Sequence, residues 1–190
     1  MLTPEEIAKI LGAPTGNTKR YWPLILTELQ KQNANKLAFQ IAICATVGVE
    51  SGSFAPINEY GKDGYFKRMY EGRADLGNDQ EGDGARFHGR GFVQITGRHN
   101  YLVYGNKIGV DLIKNPDLAN NAKEAVSILV HYMLDHGIDV WAQREFRTDD
   151  DTTYPSEFCL RKIRKLVNGG YNHYDRFKLL YLRLKQAAFD

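Results

Sequence analysis

The chain has 190 residues, 43% of them hydrophobic and 25% charged, with a formal net charge of +2. That length holds one domain, or one domain with two lobes, around a real core, and the composition excludes a disordered chain. The charge is too small to point to nucleic acid, although a local basic face would still suit an anionic polymer.

The chain starts MLTPEEIAKI, with acidic residues early and no basic start followed by an apolar run, so no signal peptide is expected. Thr3-Pro4-Glu5-Glu6 reads as a capping box with proline at the first helical position, and Gly12 ends that short helix. A second helix is expected over Tyr21 to Gln32, where Pro23 is tolerable only near the start. A third runs from Asn35 to about Val49 and is apolar on most faces, which places it in the core. Its stretch LAFQIAICATVGV is too short to span a bilayer. Cys44 and Cys159 lie far apart in sequence and read as two buried thiols.

The character then changes, because ten of the 18 glycines fall between Gly52 and Gly97. This stretch reads as a long irregular segment with short strands at most, around Phe92 to Ile95. Long loops inside compact domains are usually functional. Helices return over Arg98 to Lys107, Ala122 to His136, Ser156 to Val167 and Tyr174 to Ala188, with stops at Gly137 and Asn168-Gly169-Gly170. No internal repeat or low-complexity tract is present.

Glu50 is the most informative residue. It ends the apolar helix in VGVESGSF, where little nearby in sequence solvates a charge. Burial and the negative end of the helix dipole both favour a protonated carboxyl, and such an acid can donate to a leaving oxygen. Glycoside hydrolysis needs a second carboxylate, for which the loop offers Glu59, Asp63, Glu71 and Asp75; spacing does not choose among them. In GARFHGRGFVQITGRHNY, Gly89 and Gly91 let the backbone approach a ligand. Gln94 and Thr96 share one face if this segment is a strand. It fails as a nucleotide fingerprint, since Gln94 stands where a third glycine is required.

Together, VGVESGSF, YFKRMYEGR, GRGFVQITGRHNY and LVNGGYN resemble the glycoside hydrolase family 19 catalytic fold, most closely its phage endolysin branch. The resemblance runs from Leu37 to Arg176 and implies a mainly α, two-lobed lysozyme-like fold with its cleft between the lobes. In this fold the glycine-rich, irregular or short-β segment follows the central helix, and residues 1–190 form a single catalytic domain. By resemblance Glu50 matches the general acid, and Glu71, 21 residues later, matches the base that activates water in the chitinase members. Gln94 and Thr96 match the GRGxxQx(S/T) motif, whose hydroxyl helps hold that water. Asn168 matches the asparagine of the NGG turn, and Arg176 a later cleft arginine. Some lysozyme-like endolysins place the second acid sooner, which points to Glu59, and Glu71 is ranked ahead of it as the second carboxylate. The disulfides and longer loops of plant-type members are missing.

Rival chemistries are weaker. His88, His99, His131, His136 and His173 form no HExxH, neither cysteine has a CxxC partner, and a calcium loop at Asp79, Glu81 and Asp83 fails because its twelfth position is Arg90. A lytic transglycosylase would need only Glu50. A non-catalytic wall-binding module would use Tyr60, Tyr65, Phe66, Phe87, Phe92 and Tyr101 as sugar platforms, though most of these read as core. Arg161, Lys162, Arg164 and Lys165 give a basic helix face, either solvated or touching an anionic wall. The sequence is therefore read as a monomeric endolysin that hydrolyses peptidoglycan, with chitin the nearest alternative polymer. No cofactor, metal, nucleic acid or stable membrane insertion is expected. Synthesis in a bacterial cytoplasm and action on the wall after release are implied by the resemblance alone.

Overall fold

The computed structural model describes residues 2–147 and 156–190. Ten α-helices dominate it: α1 (Pro4–Leu11), α2 (Thr15–Lys31), α3 (Leu37–Glu50), α4 (Asp63–Tyr70), α5 (Asp83–Arg86), α6 (Arg98–Ile108), α7 (Ala122–Asp135), α8 (Ile138–Phe146), α9 (Ser156–Asn168) and α10 (Tyr174–Phe189). Two two-residue strands, β1 (Ile57–Asn58) and β2 (Arg90–Gly91), pair antiparallel, with Ile57 opposite Gly91 and Asn58 opposite Arg90. The chain divides into two compact units, residues 1–55 with 132–190, and residues 56–131. The mainly α class with a minor β element is as the sequence predicts.

In the first unit α3 is the central element. Every residue from Ala38 to Gly48 is buried, and α1, α8, α9 and α10 all pack on it. The expected cap of α1 is present, since the Thr3 hydroxyl accepts from the Glu6 N–H while the Glu6 carboxylate accepts from the Thr3 N–H. Cys44 and Cys159 are both fully buried, so both read correctly as interior thiols.

Helix α2 differs from its prediction. It begins at Thr15, six residues early, and carries Pro23 in its interior. Pro23 lies on the exposed face, as does Lys19, whose carbonyl loses its helical N–H partner because proline carries none. Helix α8 follows α7 through Gly137 at φ 66°, a residue that ends one helix and opens the next.

The second unit contains the glycine-rich segment. Its strand pair is not over Phe92 to Ile95; those residues form a tight turn that returns Ile95 to a bridge with Arg90. Phe92 and Ile95 are buried by that turn rather than by alternation along a strand. Helix α4 also lies inside the stretch expected to be irregular, with only Phe66 of its eight residues buried.

Candidate active site

In the first unit Glu50, at the end of α3, is linked through hydrogen bonds to Arg164 and the turn held by Asn168. The expected apolar surroundings of Glu50 are not what the structure shows, because the Arg164 guanidinium donates from Nη1 to Glu50 Oε1. The Arg164 side chain is 2% exposed and that of Glu50 is 23% exposed. The carboxyl therefore reaches solvent while its partner does not. Arg164 Nε also donates to the Asn172 carbonyl at 2.7 Å. That carbonyl receives Asn168 Nδ2 at 3.4 Å as well, and Asn168 Oδ1 accepts the Gly170 N–H at 3.1 Å. Asn168 thus shapes the NGG turn through its own amide. Tyr132 donates its hydroxyl to the Val167 carbonyl at 2.8 Å; burial, and then the charge of Glu50, push its phenol up. Arg176 is exposed on the first turn of α10.

The second unit holds the remaining residues in two groups. Glu59 follows β1 directly. Its N–H donates to the Gly89 carbonyl at 2.8 Å, and its Oε2 accepts the Gly89 N–H at 3.0 Å. Its other oxygen accepts the Tyr70 hydroxyl at 2.7 Å. Gln94 joins this group. A Cβ built on Gly89 would lie 2.9 Å from Gln94 Oε1 and 3.1 Å from Glu59 Oε2, so glycine at 89 is what lets these two side chains approach. Gln94 sits at φ 51°, in the left-handed region that residues with side chains rarely adopt. Its amide holds it there by donating to the Ile57 carbonyl at 2.8 Å and the Gly91 carbonyl at 2.9 Å. Thr96 does not share a strand face with Gln94; its hydroxyl donates to the Gln94 carbonyl at 3.0 Å across the turn.

Glu71 stands in the other group. Directly after α4, its carboxylate accepts the Gly82 N–H at 2.6 Å and the Gly84 N–H at 2.7 Å. These two backbone bonds hold its carboxyl below the ordinary value. Nearby, buried Asn78 donates to the Tyr70 carbonyl at 2.8 Å and accepts the Arg98 N–H at 2.8 Å. Burial opposes the charged form of Asp83, but the Arg98 guanidinium and the backbone N–H groups of Gln80 and Asp79 together outweigh it and hold that carboxyl low. The loop from Glu71 to Arg98 is thus built on polar bonds to its own backbone.

Of the aromatic residues considered as sugar platforms, Phe66, Phe87, Phe92 and Tyr101 are core. Tyr60 is fully exposed and Tyr65 is partly so. The basic face of α9 loses Arg164 to the interior. Arg161 and Lys165 remain exposed, and Arg161 lies 4.6 Å over the Tyr174 ring. Among the described residues no three His, Cys, Asp or Glu side chains are grouped to hold a metal, and no helix is long and apolar enough to cross a membrane. Sequence reasoning missed Arg164 and Tyr70 as site residues. The signal for Arg164 was there: Leu160, Ile163, Arg164 and Val167 follow the spacing of one buried helix face.

The family model described as "Chitinase class I" matches residues 31–135. A glycosyl hydrolase family 19 domain-containing protein of Haemophilus influenzae is 31% identical over 123 residues, 65% of this chain and 53% of that protein. The acidic 27 kDa endochitinase of Solanum lycopersicum is 54% identical over 35 residues, 18% of this chain and 14% of that one. The chain thus spans about half the length of the first of these relatives and far less of the second. The crystal structure of a bacterial family 19 chitinase superposes with a TM-score of 0.61 at 16% identity, covering 96% of this chain and 94% of that one. Chitinase C from Streptomyces griseus HUT6037 gives 0.58 at 12% identity, with 96% and 76% covered. At such identities these two bear on the fold alone. With more than half of its residues inside the family model, the chain belongs to glycoside hydrolase family 19.

Proposed function

We propose that the chain is a glycoside hydrolase that cuts the bond between N-acetylated aminosugars, with Glu50 as the general acid. The observation that carries this reading is the placement of Glu50: a part-exposed carboxyl at the end of a buried helix, inside the segment that matches the family. For the second carboxylate the hydrogen bonding favours Glu59 over Glu71. Both oxygens of Glu71 accept from backbone N–H groups of a loop, whereas Glu59 accepts from one backbone N–H, that of Gly89, and from the Tyr70 hydroxyl. Glu59 also lies against Gly89 and Gln94 of the motif that implies a water site. On this reading Glu50 protonates the glycosidic oxygen while Glu59 takes a proton from the attacking water, and the anomeric centre inverts. Gln94 and Thr96 order that water, and Asn168 and Arg176 bind the glycan. No step calls on a metal.

Peptidoglycan, cut by an endolysin during bacterial lysis, is the first substrate proposed, on the resemblance of the four motifs to the endolysin branch. Chitin is the second, and the relatives whose names are endochitinases favour it. Purified peptidoglycan and chitohexaose are each incubated with wild type and with Glu50→Gln, and the products are read by mass spectrometry. New reducing ends from either polymer, lost in Glu50→Gln, support the proposal and name the bond. Anhydro-muramic products would make the protein a transglycosylase. Intact glycan in every case would leave the wall-binding module.

A further inference from the structure

The buried guanidinium beside Glu50 has no role in the chemistry described so far. We propose that Arg164 is the positioning residue of the acid, fixing the Glu50 carboxyl in the orientation from which it gives up its proton. The inference rests on the reading of Glu50 as that acid. At 2% exposure Arg164 is closed off from a glycan, so any effect it has on turnover passes through a group it touches. Its guanidinium hydrogen-bonds the Glu50 carboxylate through Nη1 and the Asn172 carbonyl through Nε at 2.7 Å. Because the guanidinium is rigid and planar, anchoring Nε to the backbone fixes the direction in which Nη1 points. The same Asn172 carbonyl is bonded by Asn168, so the NGG turn and the acid share one scaffold.

The arrangement also answers an electrostatic need. A carboxylate at the last residue of α3 faces the negative end of that helix, and a guanidinium removed from water requires a counter-charge. Each of the two groups supplies what the other lacks. A lysine at 164 keeps the charge but has one nitrogen, which cannot hold the Asn172 carbonyl and the Glu50 carboxylate in a fixed plane.

The test is steady-state kinetics of Arg164→Lys on whichever of chitohexaose and purified peptidoglycan the wild type cuts, with folding followed by circular dichroism. Expected is a folded protein whose kcat falls by about 10- to 100-fold with KM little changed, as a small misplacement of an acid produces. A folded Arg164→Lys protein with wild-type kcat, or one whose loss lies wholly in KM, overturns the proposal. If Arg164→Lys does not fold, the pair is read in the wild type, where the Arg164 Nε–H signal in a proton–nitrogen correlation spectrum is expected to move in Glu50→Gln and on adding chitotetraose. A signal that moves in neither overturns it too. Glu50→Gln separates the two levels. Full activity of the folded variant removes the acid and this inference with it. Inactive Glu50→Gln beside normal Arg164→Lys removes the positioning role alone.

Discussion

The hydroxyl of Tyr70 donates to Oε1 of Glu59 at 2.7 Å, tying the end of α4 to the residue after β1. Tyr70 also keeps its ring near-parallel to Phe66, with centroids 6.5 Å apart. Burial, followed by the Glu59 contact, pushes its phenol well above the usual range, so the group stays a donor at any working pH. Tyr70→Phe keeps the ring and removes only the bond. The expected outcome is a kcat lowered by about 3- to 10-fold, the worth of about one hydrogen bond, with a melting temperature close to wild type. Kinetics and a thermal melt on the same preparation check it.

The two candidate bases are separated by what each change costs. Glu59→Gln is expected to lower kcat by about 10²- to 10⁴-fold, the range for loss of a general base. Its loss of melting temperature should be smaller than that of Glu71→Gln, since only one of its two donors is a backbone amide. Glu71→Gln is expected to lower the melting temperature, because the anionic acceptor of the Gly82 and Gly84 amides is lost. Its kcat per folded molecule should fall less than that of Glu59→Gln. The reverse pattern would restore Glu71 as the base.

Glu71 also makes a pH prediction. Its folded value is depressed below 4.5 by the two backbone bonds. The stability it contributes is therefore present above 4.5 and lost as the pH falls through the folded value. Melting temperature should drop below that pH, a drop to which Asp83 also contributes. In Glu71→Gln the drop should be smaller, from a lower starting point at neutral pH. Melts of both proteins across the acidic range decide this.

Gly89→Ala probes the approach of Glu59 to Gln94. The new methyl would meet Gln94 Oε1 at 2.9 Å and Glu59 Oε2 at 3.1 Å, both ends of flexible side chains, and Glu59 Cβ at 3.2 Å. The fold is expected to survive with Gln94 and Glu59 pushed apart, lowering kcat by about 10-fold or more. Circular dichroism and kinetics together check that split.

The legible parts of this chain are those where a local pattern and the packing agree. The apolar run of α3 ending in Glu50 announces both the core helix and its terminal acid. Thr3 and Glu6 announce their cap. The unread parts depend on partners distant in sequence. In RKIRK all four cations look solvated, and only the docking of α9 on α3 turns Arg164 inward to Glu50, 114 positions away. Helix α4 buries a single residue, so no apolar period marks it. Gly137 reads as a stop because a left-handed glycine ends a helix, yet the same residue starts α8. Phe92 to Ile95 carries a strand-like composition, but the pairing partner of β2 is Ile57, and Gln94 is held in its unusual backbone state by bonds to that strand.

The two interior thiols carry a practical consequence. Cys44 lies in the middle of α3 and Cys159 in α9, each fully shielded, and burial pushes the Cys44 thiol far above its usual range. In the native protein neither is open to an alkylating reagent, whose attack needs an exposed thiolate. Labelling can occur only when these helices part, so the rate of mass gain under a thiol reagent clocks the opening events of the first unit. The chain thus carries its own pair of reporters on the breathing of the helix that bears Glu50.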